Sequence, residues 1–267
     1  MRKNFYKPYR IKKKKSIFQN RFFWSGFLIL LMLIAVFYLV YFSSFFQVKK
    51  ITIASVENIP KQDINLIIEK ELNKQILFFK TRSIFLINQN EIKKDVLNNF
   101  PEISKVTIDR RLPSTLNVSL TQRQEMAIWY QDEKSFLLDN EGIIFKEITE
   151  AESDLLKIKN LVQEIELKLG NRVIEKEKLN QIFSINSWLK NNLKISLKTV
   201  NIISGERLNM ETFDGWEIYL NPQGDIDWQL TKLKAVLEEI PFEKRKNIEH
   251  IELRFGNLAP VSPPLID

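Results

Sequence analysis

The sequence predicts an α+β protein that begins with an N-terminal transmembrane helix. A β-α-α-β-β unit follows, and then a mostly antiparallel β unit with two helices. Three observations carry this. One uncharged run of 25 residues occupies 22–46; beyond it, short stretches place apolar residues at alternate positions, and apolar stripes at three- and four-residue spacing separate those stretches.

Charge orients the chain. Of its 40 Lys and Arg residues, nine lie within the first 21, with no acidic residue among them, and the remainder carries 31 cations against 33 anions. The basic character therefore belongs to a tail, residues 1–21, which contains the run Lys12, Lys13, Lys14 and Lys15. The run Phe22–Phe46 follows, longer than the roughly 20 apolar residues that cross a bilayer core. Phe22, Phe23 and Trp24 at one end and Tyr38, Tyr41, Phe45 and Phe46 toward the other match the aromatic belts of membrane interfaces. A cleaved signal peptide has an apolar core of only about 7–15 residues and a small-x-small cleavage site, which Ser43 to Phe46 lacks. The segment is thus expected to stay as an anchor. With the lysine run as topology signal, the N-terminus is expected in the cytoplasm and everything past residue 47 outside the inner membrane. No aromatic residue is interleaved in the lysine run, so nucleic acid is not an expected partner.

The residue types present exclude many chemistries. The chain has no cysteine, hence no disulfide, thiolate metal site or cysteine nucleophile, and its one histidine, His250, cannot build a multi-histidine metal centre. Seven glycines include no phosphate-cradling loop. A lone histidine on a strand is a packed or surface side chain, and the carboxylates are scattered among lysines as on a solvated face. No catalytic, cofactor-binding or metal-binding residue is assigned, and no small-molecule substrate is expected.

The first folded unit spans 47–122. Ile51 and Ile53 alternate as in a half-buried strand; Pro60 opens a helix with Ile64, Ile67, Ile68 and Leu72 on one face. Asn88 or Asn90 caps a second helix that buries Ile92, Val96, Leu97 and Phe100 before Pro101 ends it. Val106 with Ile108, and then Leu116, Val118 and Leu120, mark two strands joined by a turn at Arg111–Ser114. This order, with the segment FPEISKVTIDRRLPSTLNVSL at 100–120, resembles the POTRA domain of the FtsQ/DivIB family of bacterial division proteins. Arg110 or Arg111 with Pro113 fits the family's R-x-P element, and Arg123 to Trp129 is similar to its E-R-x-P-v-A-x-W. Gln122 stands where that family has Glu, no proline precedes Met126-Ala127, and the glycine usual after the first strand is missing near Ser55.

The second unit spans 123–257. Phe136–Leu138 and Ile143–Phe145 flank a polar turn ending in Gly142, a hairpin that also resembles the family's L-x-D-x-x-G-x-x-F. Segment 147–169 shows no clear pattern. A helix with Leu179, Ile182, Phe183 and Leu189 inward is expected over 175–192, then a strand at 196–203. Asp214-Gly215 joins two alternating runs, and Asp225 or Asp227 caps a helix carrying Leu230, Leu233, Leu237 and Ile240. A last strand over 248–255 precedes a proline-rich tail, 258–267.

Ile251-Glu-Leu253-Arg254-Phe255-Gly256-Asn257 closely matches the family's closing I-D-L-R-f-x-n. The resemblance implies a non-enzymatic, single-pass scaffold of the divisome. It implies too that Arg254, Phe255 and Asn257 lie where the last strand and a nearby helix bind the FtsB/FtsL coiled coil. A terminal strand at a sheet edge exposes unpaired N–H and C=O groups to which a partner segment can add itself. Two other readings stand beside this one: a POTRA-bearing export or assembly adaptor, and a membrane-anchored peptidoglycan hydrolase with two carboxyls at glycosidase spacing.

Overall fold

In a computed structural model, residues 21–54, 59–73, 75–76, 79–149, 154–162 and 166–263 are described. The Lys12–Lys15 signal lies outside them. The chain divides into two compact units, residues 1–92 with 107–119, and residues 93–106 with 120–267.

The first unit opens with α1, Arg21–Phe42, whose 22 residues are long and apolar enough to cross a bilayer. It ends four residues short of the expected 46. There, Thr81 Oγ1 donates to the Tyr41 carbonyl at 2.6 Å and Gln47 Nε2 reaches the same oxygen at 3.3 Å. These side chains satisfy a carbonyl that a helix end leaves without an intrahelical partner. Strand β1, Lys50–Ala54, runs parallel to β5, Thr115–Gln122, with Ile51 opposite Leu116 and Ile53 opposite Val118. Helix α2, Lys61–Leu72, buries Ile64, Ile68 and Leu72 on the expected stripe. A two-residue hairpin, β2 (Gln75–Ile76) with β3 (Phe79–Lys80), was not foreseen. Asn88, and not Asn90, caps α3 (Gln89–Asn99): its Oδ1 accepts from the amides of Asn90 and Glu91. With β4, Ile103–Arg111, the sheet order is β1-β5-β4.

The second unit is built on one nine-stranded sheet. In chain order its strands are β6 (Ala127–Gln131), β7 (Lys134–Leu138), β8 (Ile144–Ile148), β9 (Leu156–Asn160), β10 (Leu197–Ser204), β11 (Arg207–Thr212), β12 (Glu217–Leu220), β13 (His250–Glu252) and β14 (Val261–Ser262). Across the sheet the order is β14-β13-β12-β11-β10-β9-β6-β7-β8. Neighbours are antiparallel except at β6–β9, β9–β10 and β12–β13. Two of these parallel joins are made by the helices, since α4 (Lys176–Trp188) carries the chain from β9 to β10 and α5 (Ile226–Glu239) from β12 to β13.

Register puts one apolar side chain from each of eight strands in a single row: Phe136, Trp129, Ile158, Val200, Met210, Ile218, Ile251 and Val261. That row packs with Leu179, Ile182 and Ile185 of α4 and Leu230, Leu233 and Leu237 of α5 in one core. Each fully buried side chain of this kind contributes roughly 2 kcal/mol. The neighbouring row, Tyr130, Lys159, Asn201, Asn209, Tyr219 and Glu252, points the opposite way, as period-2 alternation requires. The apolar row thus faces the helices and the polar row faces away from them.

Candidate partner-binding edge

The three residues predicted to touch a partner lie at the end of this sheet, but the strand there is shorter than expected. Pairing in β13 stops at Glu252; Leu253 still donates to the Tyr219 carbonyl, and from Arg254 the chain turns away. Nor is β13 the border. After an eight-residue loop, β14 returns antiparallel beside it, with His250 opposite Ser262 and Ile251 opposite Val261. Among the described residues, β14 has no strand on its outer side.

Arg254 is held by its neighbour. Its guanidinium makes a two-point contact with Glu252, Nε to Oε1 at 2.8 Å and Nη2 to Oε2 at 2.6 Å, and its own amide donates to Oε1 at 3.1 Å. Partial burial pushes the Glu252 pKa up, but the hydrogen bonds and charge of Arg254, with the charge of Arg207, outweigh it and leave the carboxyl below its usual range. The Arg254 guanidinium also lies 5.2 Å from the centre of the Phe255 ring. Phe255 itself is 58% exposed, Leu258 is 70% exposed, and Asn257 is exposed as well. Exposed aromatic and aliphatic side chains beside a strand at the end of a sheet suit a partner segment better than water.

His250 stacks on Tyr219, with ring centres 4.5 Å apart and planes 17° from parallel, while the Arg207 guanidinium sits 4.5 Å from the Tyr219 ring centre. The lone histidine is therefore packed in an aromatic and cationic stack on the polar face. Burial and a hydrogen bond with Glu217 push the Tyr219 hydroxyl pKa up.

One residue went unforeseen. Lys232 of α5 is only 6% exposed, and its ammonium donates to the carbonyls of Leu253 at 2.7 Å, Gly256 at 2.9 Å and Leu258 at 3.1 Å, with Phe255 at 3.4 Å. Burial pushes its pKa down and the Glu252 charge opposes that. The available signal was its position, a lysine within the stripe of Gln229, Leu233, Val236 and Ile240.

In two segments that resemble family motifs elsewhere, Arg123 and Asp139 are tied into the fold. Arg123 pairs with Asp139, the two side chains 10% and 3% exposed, and donates to the Pro101 carbonyl at 2.9 Å. Asp139 Oδ1 in turn accepts from the amides of Glu141 and Ile143, both at 2.9 Å.

Two family descriptions match the chain. Residues 46–123 match the FtsQ-type POTRA domain, and residues 127–254 match the C-terminal domain of the cell division protein FtsQ/DivIB. The chain belongs to the FtsQ/DivIB family of cell division proteins. Its relatives in that family include the cell division protein FtsQ of Rickettsia bellii, 35% identical over 36% of this chain and 33% of that protein. The cell division protein DivIB of Clostridium tetani is 22% identical over 72% of this chain and 70% of the relative. DivIB of Clostridium acetobutylicum is 32% identical over 44% and 48%. The chain thus matches a third of the length of the Rickettsia protein. FtsQ/DivIB is a non-catalytic family. The C-terminal match ends at residue 254, so Phe255, Asn257 and β14 lie just beyond it.

Proposed function

We propose that this protein is a non-enzymatic, single-pass scaffold of the bacterial divisome that binds an FtsB/FtsL-type coiled-coil pair at the β13–β14 end of its C-terminal sheet. The proposed organisation is a cytoplasmic tail (1–21), an anchor (22–46), a POTRA domain (47–122), a β domain (123–257) outside the inner membrane and a C-terminal tail (258–267). Nine cations ahead of the apolar run support that orientation. Anchoring restricts the protein to the membrane plane, which raises its effective concentration toward partners held in the same plane.

The observation that carries the binding site is the unpaired outer side of β14 beside the exposed Phe255. The carbonyls of Pro260 and Ser262 already accept from the amides of Glu252 and Glu249, which leaves Val261 between them to offer its backbone groups to an added strand, and Phe255 offers an aromatic anchor of the kind that dominates binding energy. Arg254, already clasped to Glu252, gives a fixed cationic point for an acidic residue of the partner.

The test uses the full-length protein in nanodiscs and the purified FtsB/FtsL pair of the same organism. Phe255→Asp is expected to weaken binding by about thirtyfold or more, the loss of one buried aromatic anchor, with an unchanged circular dichroism spectrum. Unchanged affinity removes Phe255 from the interface.

A further inference from the structure

The loop between β13 and β14, residues 253–260, has an organising centre outside itself. Four of its backbone carbonyls converge on the single ammonium of Lys232, which reaches them from α5 through a site 6% exposed. An ammonium has three N–H donors, so the contacts at 2.7, 2.9 and 3.1 Å use all of them, and the 3.4 Å contact to Phe255 is the weak fourth. Buried carbonyls that converge in this way repel one another unless a cation lies between them, and a buried cation is costly unless it is surrounded by acceptors. Each side therefore requires the other. The loop's other ties sit at its two ends, where Leu253 donates to the Tyr219 carbonyl, Arg254 clasps Glu252 and the Pro260 carbonyl accepts from the Glu252 amide; between them Leu258 donates to the Phe255 carbonyl at 3.2 Å, Gly256 adopts φ +36°, and the side chains of Phe255, Asn257 and Leu258 are exposed.

We propose that Lys232 is a positioning residue for partner docking: by gathering the carbonyls of Leu253, Phe255, Gly256 and Leu258, it fixes the loop in the one shape that presents Phe255 and Leu258 at the mouth of the β13–β14 hairpin. The inference rests on the partner-binding reading above. It adds that affinity depends on a side chain from another element. Held loops bind more tightly because the ordering cost is met before the partner arrives.

Lys232→Met keeps an unbranched side chain up to the position of the lysine Cε and removes the ammonium, and Leu233→Ala, at a neighbouring residue with 0% exposure, serves as a control for general destabilisation. Hydrogen–deuterium exchange on the full-length protein in nanodiscs should show about tenfold or faster exchange in peptides covering 254–260 for Lys232→Met, with those covering β6 and β9 unchanged. Affinity for the FtsB/FtsL pair should fall about tenfold or more with Lys232→Met and stay at the wild-type level for folded Leu233→Ala. If Lys232→Met does not fold, Lys232→Gln, which retains an N–H donor, is measured in its place, with the same direction expected. Unchanged loop exchange overturns the inference, as does a loosened loop that binds the pair with wild-type affinity. In both outcomes the wild-type protein still binds, so the partner-binding reading survives. If the wild-type protein fails to bind, that reading falls and takes the docking role of Lys232 with it.

Discussion

Glu252 and Arg254 form a clasp between the last core strand and the exposed loop, and its charge state is set by pH. The two side chains are 11% and 21% exposed, enough burial for their hydrogen bonds to contribute more than a surface pair would. Because the folded-state pKa of Glu252 lies below its ordinary 4.5, the folded protein binds a proton less readily than the unfolded chain. The clasp therefore contributes fully above the ordinary carboxylate pKa and is lost as pH falls through the depressed value. Glu252→Gln should reduce stability by about 1 kcal/mol at pH 7, and the difference from wild type should shrink as pH drops below about 4. Urea titrations across that range check this; a difference constant from pH 7 to pH 3 contradicts it. Lys232 is the opposite kind of residue, a cation whose partners are carbonyls and whose role is to shape a loop. Arg254 and Phe255 stand out in the sequence as expected contacts because a motif marks them. Lys232 does not, because a lysine at a stripe position looks the same whether its head reaches water or a ring of carbonyls.

At the level of elements, the turn between β7 and β8 shows how tightly the sheet is fastened to α4. Gly142 has φ +76°, and a Cβ there would stand 2.1 Å from the Ile174 carbonyl oxygen, two residues ahead of the helix. Gly142→Ala should therefore cost on the order of 2–3 kcal/mol, combining backbone strain with displacement of that carbonyl. A thermal midpoint within a degree of wild type would mean that the segment moves aside freely. The elements that could be read from the sequence had long periodic faces: α2, α3, α5 and the β11–β12 hairpin around Asp214-Gly215. Strand β9 could not be read, since Leu156 and Ile158 are its only apolar positions and charged residues surround them, yet it is the parallel strand that joins β6 to β10. Strand β14 was hidden for a different reason. Val261-Ser262 lies between Pro260 and Pro263, a context that argues against a strand unless it is at an edge, and an edge is where it lies. The expected strand over 248–255 shrank to three paired residues because Arg254 turns back on Glu252 and the loop carbonyls turn toward Lys232.

For the whole molecule, the proposed account joins a membrane helix to a sheet whose last strand has no strand on its outer side among the described residues. The first element needs only 22 uncharged or nearly uncharged residues, and the second only two residues that find no further strand among those described. Neither involves chemistry on a substrate, in keeping with a non-catalytic family. The most direct test is site-specific photo-crosslinking in dividing cells, with a photoreactive amino acid placed in turn at Phe255, Asn257 and Val261, and at the exposed Lys190 beyond α4 as a comparison. The account predicts adducts with the FtsB-type partner from the first three positions and none from Lys190. Adducts from Lys190 alone, or none from the β13–β14 end while the protein sits at the division site, would contradict it.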